Sequence, residues 1–240
     1  RDSFYSGVSE GVVGIDRIIK MFDVVDDQLV VEEKGIYSIE KFIVARRLMY
    51  WQVYLHKTVL GAEHLLVSVL KRARDLLKSG ESIFASPALK KFLSEKLTFD
   101  SIKNNPYLLH TFTTLDDSDI LGAIKVWAIH PDAILSYLCN ALINRQLFAV
   151  KLSKNSFDEQ MINQIKQNIK SEFGYIDNAI AYFWKQGKVQ NNAYSNKTDR
   201  IQLKMKNGSL IDLVDASDNL NISALAEPVE KNFIYYPKSC

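Results

Sequence analysis

The sequence predicts a mainly α-helical region followed by a smaller α+β domain. The chain has 240 residues, of which 47% are hydrophobic and 24% charged, so it can bury enough apolar surface to fold. Apolar residues recur at helical spacing through residues 1–145, whereas short strand-like runs and an Asn-Gly turn follow from Gln146. The predicted domains are therefore residues 1–145 and residues 146–240.

The elements of the helical region are predicted from apolar spacing and from the positions of Gly and Pro. Residues 9–22 predict a short helix, and Gln28–Glu32 predicts a brief strand. Ser38 is a suitable N-cap for the longest helical stretch, about forty residues that Gly61 alone interrupts. Further helices are predicted at residues 88–97, 116–128 and 132–144.

The elements of the α+β domain are predicted from shorter apolar runs that turn residues separate. Asn207-Gly208 is a strong hairpin signal, since both residues tolerate positive φ. A two-residue loop there would pair Met205 with Leu210 and Leu203 with Asp212. The remaining predicted elements are a strand at 147–152, a helix capped by Ser156 that ends near Phe173, a strand at 179–184, a helix at 221–227 and a strand at 232–236.

Charge, hydropathy and cysteine usage exclude several classes of protein. Thirty Lys and Arg against 28 Asp and Glu leave a net charge of +2, so no specific nucleic-acid partner is predicted. No apolar run approaches the ~20 residues of a membrane span, so no membrane partner is predicted either. Cys139 and Cys240 lack the paired spacing of a disulfide framework or a zinc cage, which favours a reducing cytoplasm.

A polar stripe on the longest predicted helix is the main functional signal. Arg46, Tyr50, Tyr54 and Lys57 stand at i, i+4, i+8 and i+11, which places them within one arc of a regular α-helix. Two cations and two phenols suit an anionic ligand that carries a ring. The alternative is a buried helix whose cations pair with neighbouring Asp or Glu.

Asp2 is a further candidate near the start of the chain. Its carboxylate could accept a hydrogen bond from a sugar hydroxyl, or it could neutralise Arg46 or Arg47 in a structural ion pair. The four histidines are too scattered for a local metal motif, and the sequence contains no Walker loop or Gly-x-Ser-x-Gly elbow. No catalytic residue or metal ligand is therefore predicted within this chain.

Three segments resemble HD-domain phosphohydrolases of the deoxynucleoside triphosphate triphosphohydrolase type. They are residues 1–7 (Arg-Asp-Ser-Phe-Tyr-Ser-Gly), the helix at 45–57, and the stretch with Gly-Lys-Val at 187–189 and Asn-Ala-Tyr-Ser at 192–195. The similarity runs the length of the chain and matches the later portion of such proteins. It implies that the helical region is the remainder of an HD-domain helical fold.

The resemblance also implies a cofactor and a set of partners. In that family a His, a His-Asp pair and a later Asp bind a divalent metal ion, whether Mg, Mn, Fe, Ni or Zn. These ligands are expected upstream of Arg1, in a missing N-terminal part of the same protein, so this chain alone is expected to be inactive. The other implied partners are a nucleotide substrate and further copies of the protein in a homo-oligomer.

Roles for single residues follow from the same resemblance. It assigns Asp2 to the deoxyribose 3′-hydroxyl, Arg46 to a phosphate, and Tyr54 to the face of the sugar where a 2′-hydroxyl would otherwise sit. Tyr50 occupies a position where some relatives carry a histidine, and Lys57 is a second phosphate candidate. The implied reaction converts a dNTP into a deoxynucleoside and triphosphate.

Two alternatives stay open at this stage. The chain could be a non-catalytic nucleotide-binding or assembly module that keeps the phosphate-binding stripe. It could also be a structural helical scaffold, in which Arg46 and Lys57 pair with carboxylates and no cavity opens beside Tyr54.

Overall fold

The computed structural model of the chain describes residues 1–174, 180–191, 194, 200–218 and 228–240. These residues are mainly helical, with two small sheets. They form two compact units, one of residues 1–59 and 188–232, and the other of residues 60–187 and 233–240. The separate folding of residues 1–145 and 146–240 stays a prediction.

The first unit contains short helices and a four-stranded sheet. Its helical segments are α1 (Asp2–Ser6), a 3-10 turn (Ser9–Gly11), α2 (Ile15–Ile19), a 3-10 turn (Glu33–Gly35), α3 (Ile36–Met49), a π-helical turn (Tyr50–Tyr54) and α12 (Leu213–Ala216). Its strands are β1 (Phe22–Val25), β2 (Gln28–Glu32), β5 (Gln202–Lys204) and β6 (Leu210–Asp212). The order is β1-β2-β5-β6, in which β2 and β5 are parallel and the other pairs antiparallel.

A tight β1–β2 hairpin occupies part of the segment that the sequence analysis assigned to a helix. The predicted strand Gln28–Glu32 is confirmed as β2, but residues 9–22 form only a 3-10 turn and the five-residue α2 before β1 begins. Asp26 and Asp27 connect the strands with φ of 49° and 58°, and Val25 pairs with Gln28. Positive φ at both central residues is typical of the type I′ turn that suits a two-residue hairpin.

The second hairpin forms around Asn207-Gly208 as predicted, but its register differs by one residue. Leu203 pairs with Ile211 rather than with Asp212, and Lys204 pairs with Leu210. The loop is longer because the Met205 N–H donates to the carbonyl of Ser209, at 2.9 Å. Gly208 alone takes the left-handed conformation there, with φ of 85°, as three-residue hairpin loops require.

The first unit has a small core that fixes one face of α3. Ile39 and Ile43, one helical turn apart, are buried with Val31 of β2, Leu203 of β5 and Leu213 of α12. Because that face of α3 is buried against the sheet, other positions of the same helix remain available to line a cleft.

The second unit is largely helical. Its helices are α4 (Lys57–Lys78, from Leu60 onward), α5 (Pro87–Ser94), α6 (Phe99–Lys103), α7 (Pro106–Thr113), α8 (Asp117–Trp127), α9 (Ala133–Ile143), α10 (Glu159–Phe173) and α11 (Ile180–Phe183). The helices predicted at 88–97, 116–128 and 132–144 are confirmed as α5, α8 and α9. Side chains of Ser86, Asp116 and Asp132 cap these three helices by accepting backbone N–H bonds.

The remaining strands are β3 (Ala149–Ser153), β4 (Lys185–Asn191) and β7 (Val229–Tyr236), in the order β3-β7-β4. The strands predicted at 147–152 and 232–236 are confirmed within one to three residues as β3 and β7. The strand predicted at 179–184 is wrong for residues 180–183, which form α11. The helix predicted at 221–227 lies outside the described residues.

Two predicted helix caps are also wrong. The helix α3 begins at Ile36 after Gly35, so Ser38 lies inside its first turn. The helix α10 begins at Glu159, where Asp158 rather than Ser156 accepts the backbone N–H of Gln160. In both cases a competing residue near the helix start takes the capping position. No helix in the described parts of the chain has the length and apolar character to cross a membrane.

Candidate functional site

The candidate site is a cleft of about 570 Å³ in the first unit. It is lined by Arg1, Asp2, Ser3, Gly11, Val13, Phe42, Ala45, Arg46, Met49, Tyr50 and Tyr54. Small-molecule sites usually have volumes of roughly 300–1,000 Å³, so the cleft is large enough for a metabolite. It contains one carboxylate, two guanidinium groups and two phenols.

Four of the five predicted site residues lie together in this cleft. Tyr54 donates a hydrogen bond from Oη to Oδ2 of Asp2, at 2.5 Å. The rings of Tyr50 and Tyr54 meet edge to face, with centroids 5.2 Å apart, and the Arg46 guanidinium carbon lies 5.8 Å from the Tyr50 ring centroid. Consecutive contacts therefore run from the Asp2 carboxylate, through two phenol rings, to a guanidinium group.

The Tyr54–Asp2 contact also sets the protonation of the phenol. The hydrogen bond to Asp2 raises the pKa of Tyr54 above its ordinary value of 10.0, and partial burial and the Asp2 charge act in the same direction. Tyr54 is therefore neutral at physiological pH and remains a donor. Its side chain is still accessible, since the residue is 39% exposed.

The helix that carries these residues is not regular, which overturns the prediction of one continuous arc. Residues Tyr50–Tyr54 form a π-helical turn, in which the Leu55 N–H donates to the Tyr50 carbonyl at 2.7 Å. The chain then leaves the helix at Leu55, and α4 begins at Lys57. A π-turn has a wider repeat than an α-helix, so positions beyond Tyr54 no longer keep the α-helical angle to Arg46.

Lys57 is the predicted residue that the cleft does not include. It is the first residue of α4, is exposed, and is absent from the residues that line the cleft. The angle that linked Lys57 to Arg46 in the sequence analysis assumed an uninterrupted α-helix.

Several residues that line the cleft were not predicted. Phe42 stands four residues before Arg46, so extending the α-helical stripe backwards would have identified it. Gly11 carried no sequence signal, yet a Cβ there would lie 2.5 Å from Sδ of Met49 and 2.8 Å from Cβ of Ser3. Glycine is therefore needed where the 3-10 turn approaches the end of α3.

A second, apolar cleft of about 660 Å³ shares Val13 and Phe42 with the candidate site. Its other walls are Ile15, Ile18, Ile19, Phe22, Leu29, Val31, Ile39, Arg200, Ile201 and Gln202. The polar cleft is thus bordered by an apolar one within the same unit, an arrangement that suits ligands with a charged and a less polar part.

The described residues do not fit a metal ion. Across the described ranges, no group of three or more His, Cys, Asp or Glu side chains is arranged to hold one. The divalent cation that the family resemblance implies would need ligands from elsewhere, so no reaction step in this chain is assigned to a metal ion.

Comparison with known proteins supports a relation to HD-associated phosphohydrolases. Residues 13–83 match the family model of the HD associated region. That segment contains α3, the π-turn and therefore Arg46, Tyr50 and Tyr54. It covers less than half of the chain.

The chain is also similar to three longer proteins. A phosphohydrolase from Bacteroides thetaiotaomicron, known from a crystal structure, is 46% identical with a TM-score of 0.86, over 98% of this chain and 59% of the other. Protein YwfO of Bacillus subtilis, uncharacterized, is 38% identical over 62% of this chain and 32% of its own length. Uncharacterized protein MG461 of Mycoplasma genitalium is 26% identical over 91% of this chain and 53% of its own length. The chain therefore spans between a third and three fifths of the length of these relatives.

Proposed function

We propose that the whole protein is a phosphohydrolase acting on nucleotides, in the first place on deoxynucleoside triphosphates, and that this chain supplies the substrate-binding part of its site. One observation carries the proposal: Asp2, Arg46, Tyr50 and Tyr54 line a single cleft of about 570 Å³. The 46% identity to a phosphohydrolase supports the reaction class.

Arg46 is the proposed phosphate ligand. A guanidinium group offers planar, paired donors that match phosphate oxygens, and it stays charged at any physiological pH. The contact with the Tyr50 ring orients this group, and no carboxylate among the described residues pairs with it. Arg46 is thus available to an anionic ligand.

Asp2 and Tyr54 are the proposed sugar ligands. Tyr54 engages Oδ2 of Asp2, which leaves Oδ1 able to accept a hydrogen bond from a 3′-hydroxyl. The Tyr54 ring beside that carboxylate would exclude a 2′-hydroxyl, which favours deoxyribose over ribose. Val13 and Phe42 offer apolar contacts to the rest of the ligand.

The proposed reaction is hydrolysis at the α-phosphorus. The oxygen of water forms a new bond to that phosphorus, the bond from phosphorus to the 5′ oxygen breaks, and a water proton ends on the released deoxynucleoside. Triphosphate is the second product. Arg46 would stabilise charge on the phosphate oxygens, an effect typically worth about 3–4 kcal/mol. Activation of the water is assigned to no residue of this chain.

The test is product analysis with the full-length protein. Each dNTP is incubated with Mg²⁺ or Mn²⁺, and deoxynucleoside and triphosphate are separated by chromatography, with a chelator as the blank. We expect both products in equal amounts, and a fall of about 100-fold or more in turnover for Arg46→Ala. The matched control is Arg17→Ala, an exposed arginine of α2 that lines neither cleft. Equal turnover in the two variants would remove Arg46 from the site.

A non-catalytic nucleotide-binding or assembly role is the second candidate. It would use the same cleft, because ligand binding by Asp2, Arg46, Tyr50 and Tyr54 does not itself require hydrolysis. Binding of a dNTP by the full-length protein without any product would support it over hydrolysis. Homo-oligomeric assembly is proposed alongside either function, and size measurement of the full-length protein tests it.

A further inference from the structure

Asn191 is a buried polar residue with an unusual set of contacts. It is the last residue of β4 and has no exposed surface. Its Nδ2 donates a hydrogen bond to the main-chain carbonyl of Arg47, at 3.1 Å. Its Oδ1 is buried without a hydrogen-bond partner among the described residues.

The carbonyl that Asn191 contacts lies where α3 passes into the π-turn. The Tyr50 N–H is shared there between the carbonyls of Arg46 and Arg47. In a regular α-helix the Arg47 carbonyl would accept from the N–H of Trp51, four residues ahead. The π-turn begins at Tyr50, three residues after Arg47, and the Asn191 amide supplies a further donor to the Arg47 carbonyl.

A buried side-chain amide needs hydrogen-bond partners, because an apolar side chain of the same shape would avoid the cost of removing polar atoms from water. The partner that the described residues supply to Asn191 is the Arg47 carbonyl. That carbonyl lies beside Arg46 and three residues before Tyr50.

We propose that Asn191 is a positioning residue whose amide fixes the Arg47 carbonyl and so holds the π-turn that presents Tyr50 and Tyr54 to the cleft. Its consequence for ligand binding rests on the proposed function, but the conformational claim does not. Asn191 itself does not line the cleft. It acts through the main chain of α3.

The primary test is Asn191→Leu, which keeps the shape of the side chain and removes the donor. We expect the variant to fold, with an unfolding temperature within a few degrees of the wild type, because an apolar side chain of the same shape needs no hydrogen-bond partner at this buried position. Hydrogen exchange of the Leu55 amide, which bonds to the Tyr50 carbonyl, is expected to become at least about tenfold faster. The dissociation constant for a dNTP is expected to rise about tenfold or more.

Two further variants separate positioning from general loss of structure. Leu203→Ala removes a core side chain of the same unit that has no exposed surface. It should lower the unfolding temperature more than Asn191→Leu does, but speed Leu55 exchange and weaken nucleotide binding less. Asn191→Ser, a smaller substitution that also loses the amide, should reproduce the Asn191→Leu effects and serves if that variant does not fold.

The two readouts distinguish failure of this inference from failure of the proposed function. Unchanged Leu55 exchange in both Asn191 variants would overturn the inference, whether or not the dissociation constant for a dNTP changes. Faster exchange with unchanged nucleotide affinity would overturn the role of the turn in binding. A third outcome is that the wild type binds no nucleotide, while Leu55 exchange is still faster in the Asn191 variants than in the wild type. That outcome would refute the proposed function and support the positioning role.

Discussion

At the scale of single residues, the hydrogen bond between Tyr54 and Asp2 decides what each group offers a ligand. The raised pKa of Tyr54 favours the protonated phenol, so deprotonation of Tyr54 breaks the bond only as pH rises through the raised value. The bond engages one oxygen of Asp2. These residues are 52 positions apart, and no spacing rule of the sequence connects them.

His64 gives a residue-scale prediction about pH and stability in the second unit. Burial, with a smaller contribution from the positive charge of Lys185, lowers the pKa of His64 from 6.5 to about 4. The ring is 8% exposed and stacks on Phe233, with centroids 4.7 Å apart. The folded state therefore favours the neutral ring. The stability that this preference provides is fully present above pH 6.5 and is lost as pH falls toward 4.

The substitution His64→Leu removes this pH-dependent contribution to the free energy of unfolding. We expect the unfolding free energy of the wild type to fall, relative to that of the variant, by roughly 1–3 kcal/mol as pH is lowered from 6.5 to 4. Urea unfolding at a series of pH values measures this change. A difference that stays constant over this pH range would contradict the buried neutral ring.

At the scale of elements, the local signals identified the longest helices but not the short helices or the irregular turns. Capping residues and Pro positions predicted α5, α8 and α9, because those signals act within a few residues. The π-turn at Tyr50–Tyr54 has no such local signal, so the end of the α-helical arc could not be predicted there. The hairpin at Asn207-Gly208 shows the same limit: the turn was predicted, but its loop length and hence its register depend on a backbone bond between Met205 and Ser209.

The β1–β2 turn supplies the element-scale prediction. Asp27 adopts φ of 58°, a conformation that glycine takes without steric cost. We expect Asp27→Gly to raise the unfolding free energy by about 0.5–1 kcal/mol, since Asx-Gly is the preferred pair in a type I′ turn. Asp16→Gly, inside the helix α2, should instead lower it by a similar amount. Urea unfolding checks both signs, and a loss of stability in Asp27→Gly would contradict the turn assignment.

At the scale of the whole molecule, chain segments far apart in sequence combine in the first unit. Parallel pairing of β2 with β5 joins Val31 to Leu203, and Asn191 reaches the carbonyl of Arg47. Helical periodicity and turn chemistry contain no information on such pairings, because they act over a few residues. The stripe of Arg46, Tyr50 and Tyr54 was nevertheless predictable, since α3 and the π-turn together stay helical up to Tyr54.

Arg46, and not the other predicted cation Lys57, is proposed to bind the phosphate part of the ligand. Calorimetric titration of the full-length protein with inorganic triphosphate tests it, using the wild type, Arg46→Ala and Lys57→Ala. We expect Arg46→Ala to weaken binding by about 10- to 100-fold, the loss of a charge-assisted hydrogen bond worth about 1.5–3 kcal/mol. Lys57→Ala should stay within about twofold of the wild type, because Lys57 lies outside the cleft. Equal weakening by both substitutions, or none by Arg46→Ala, would contradict the account.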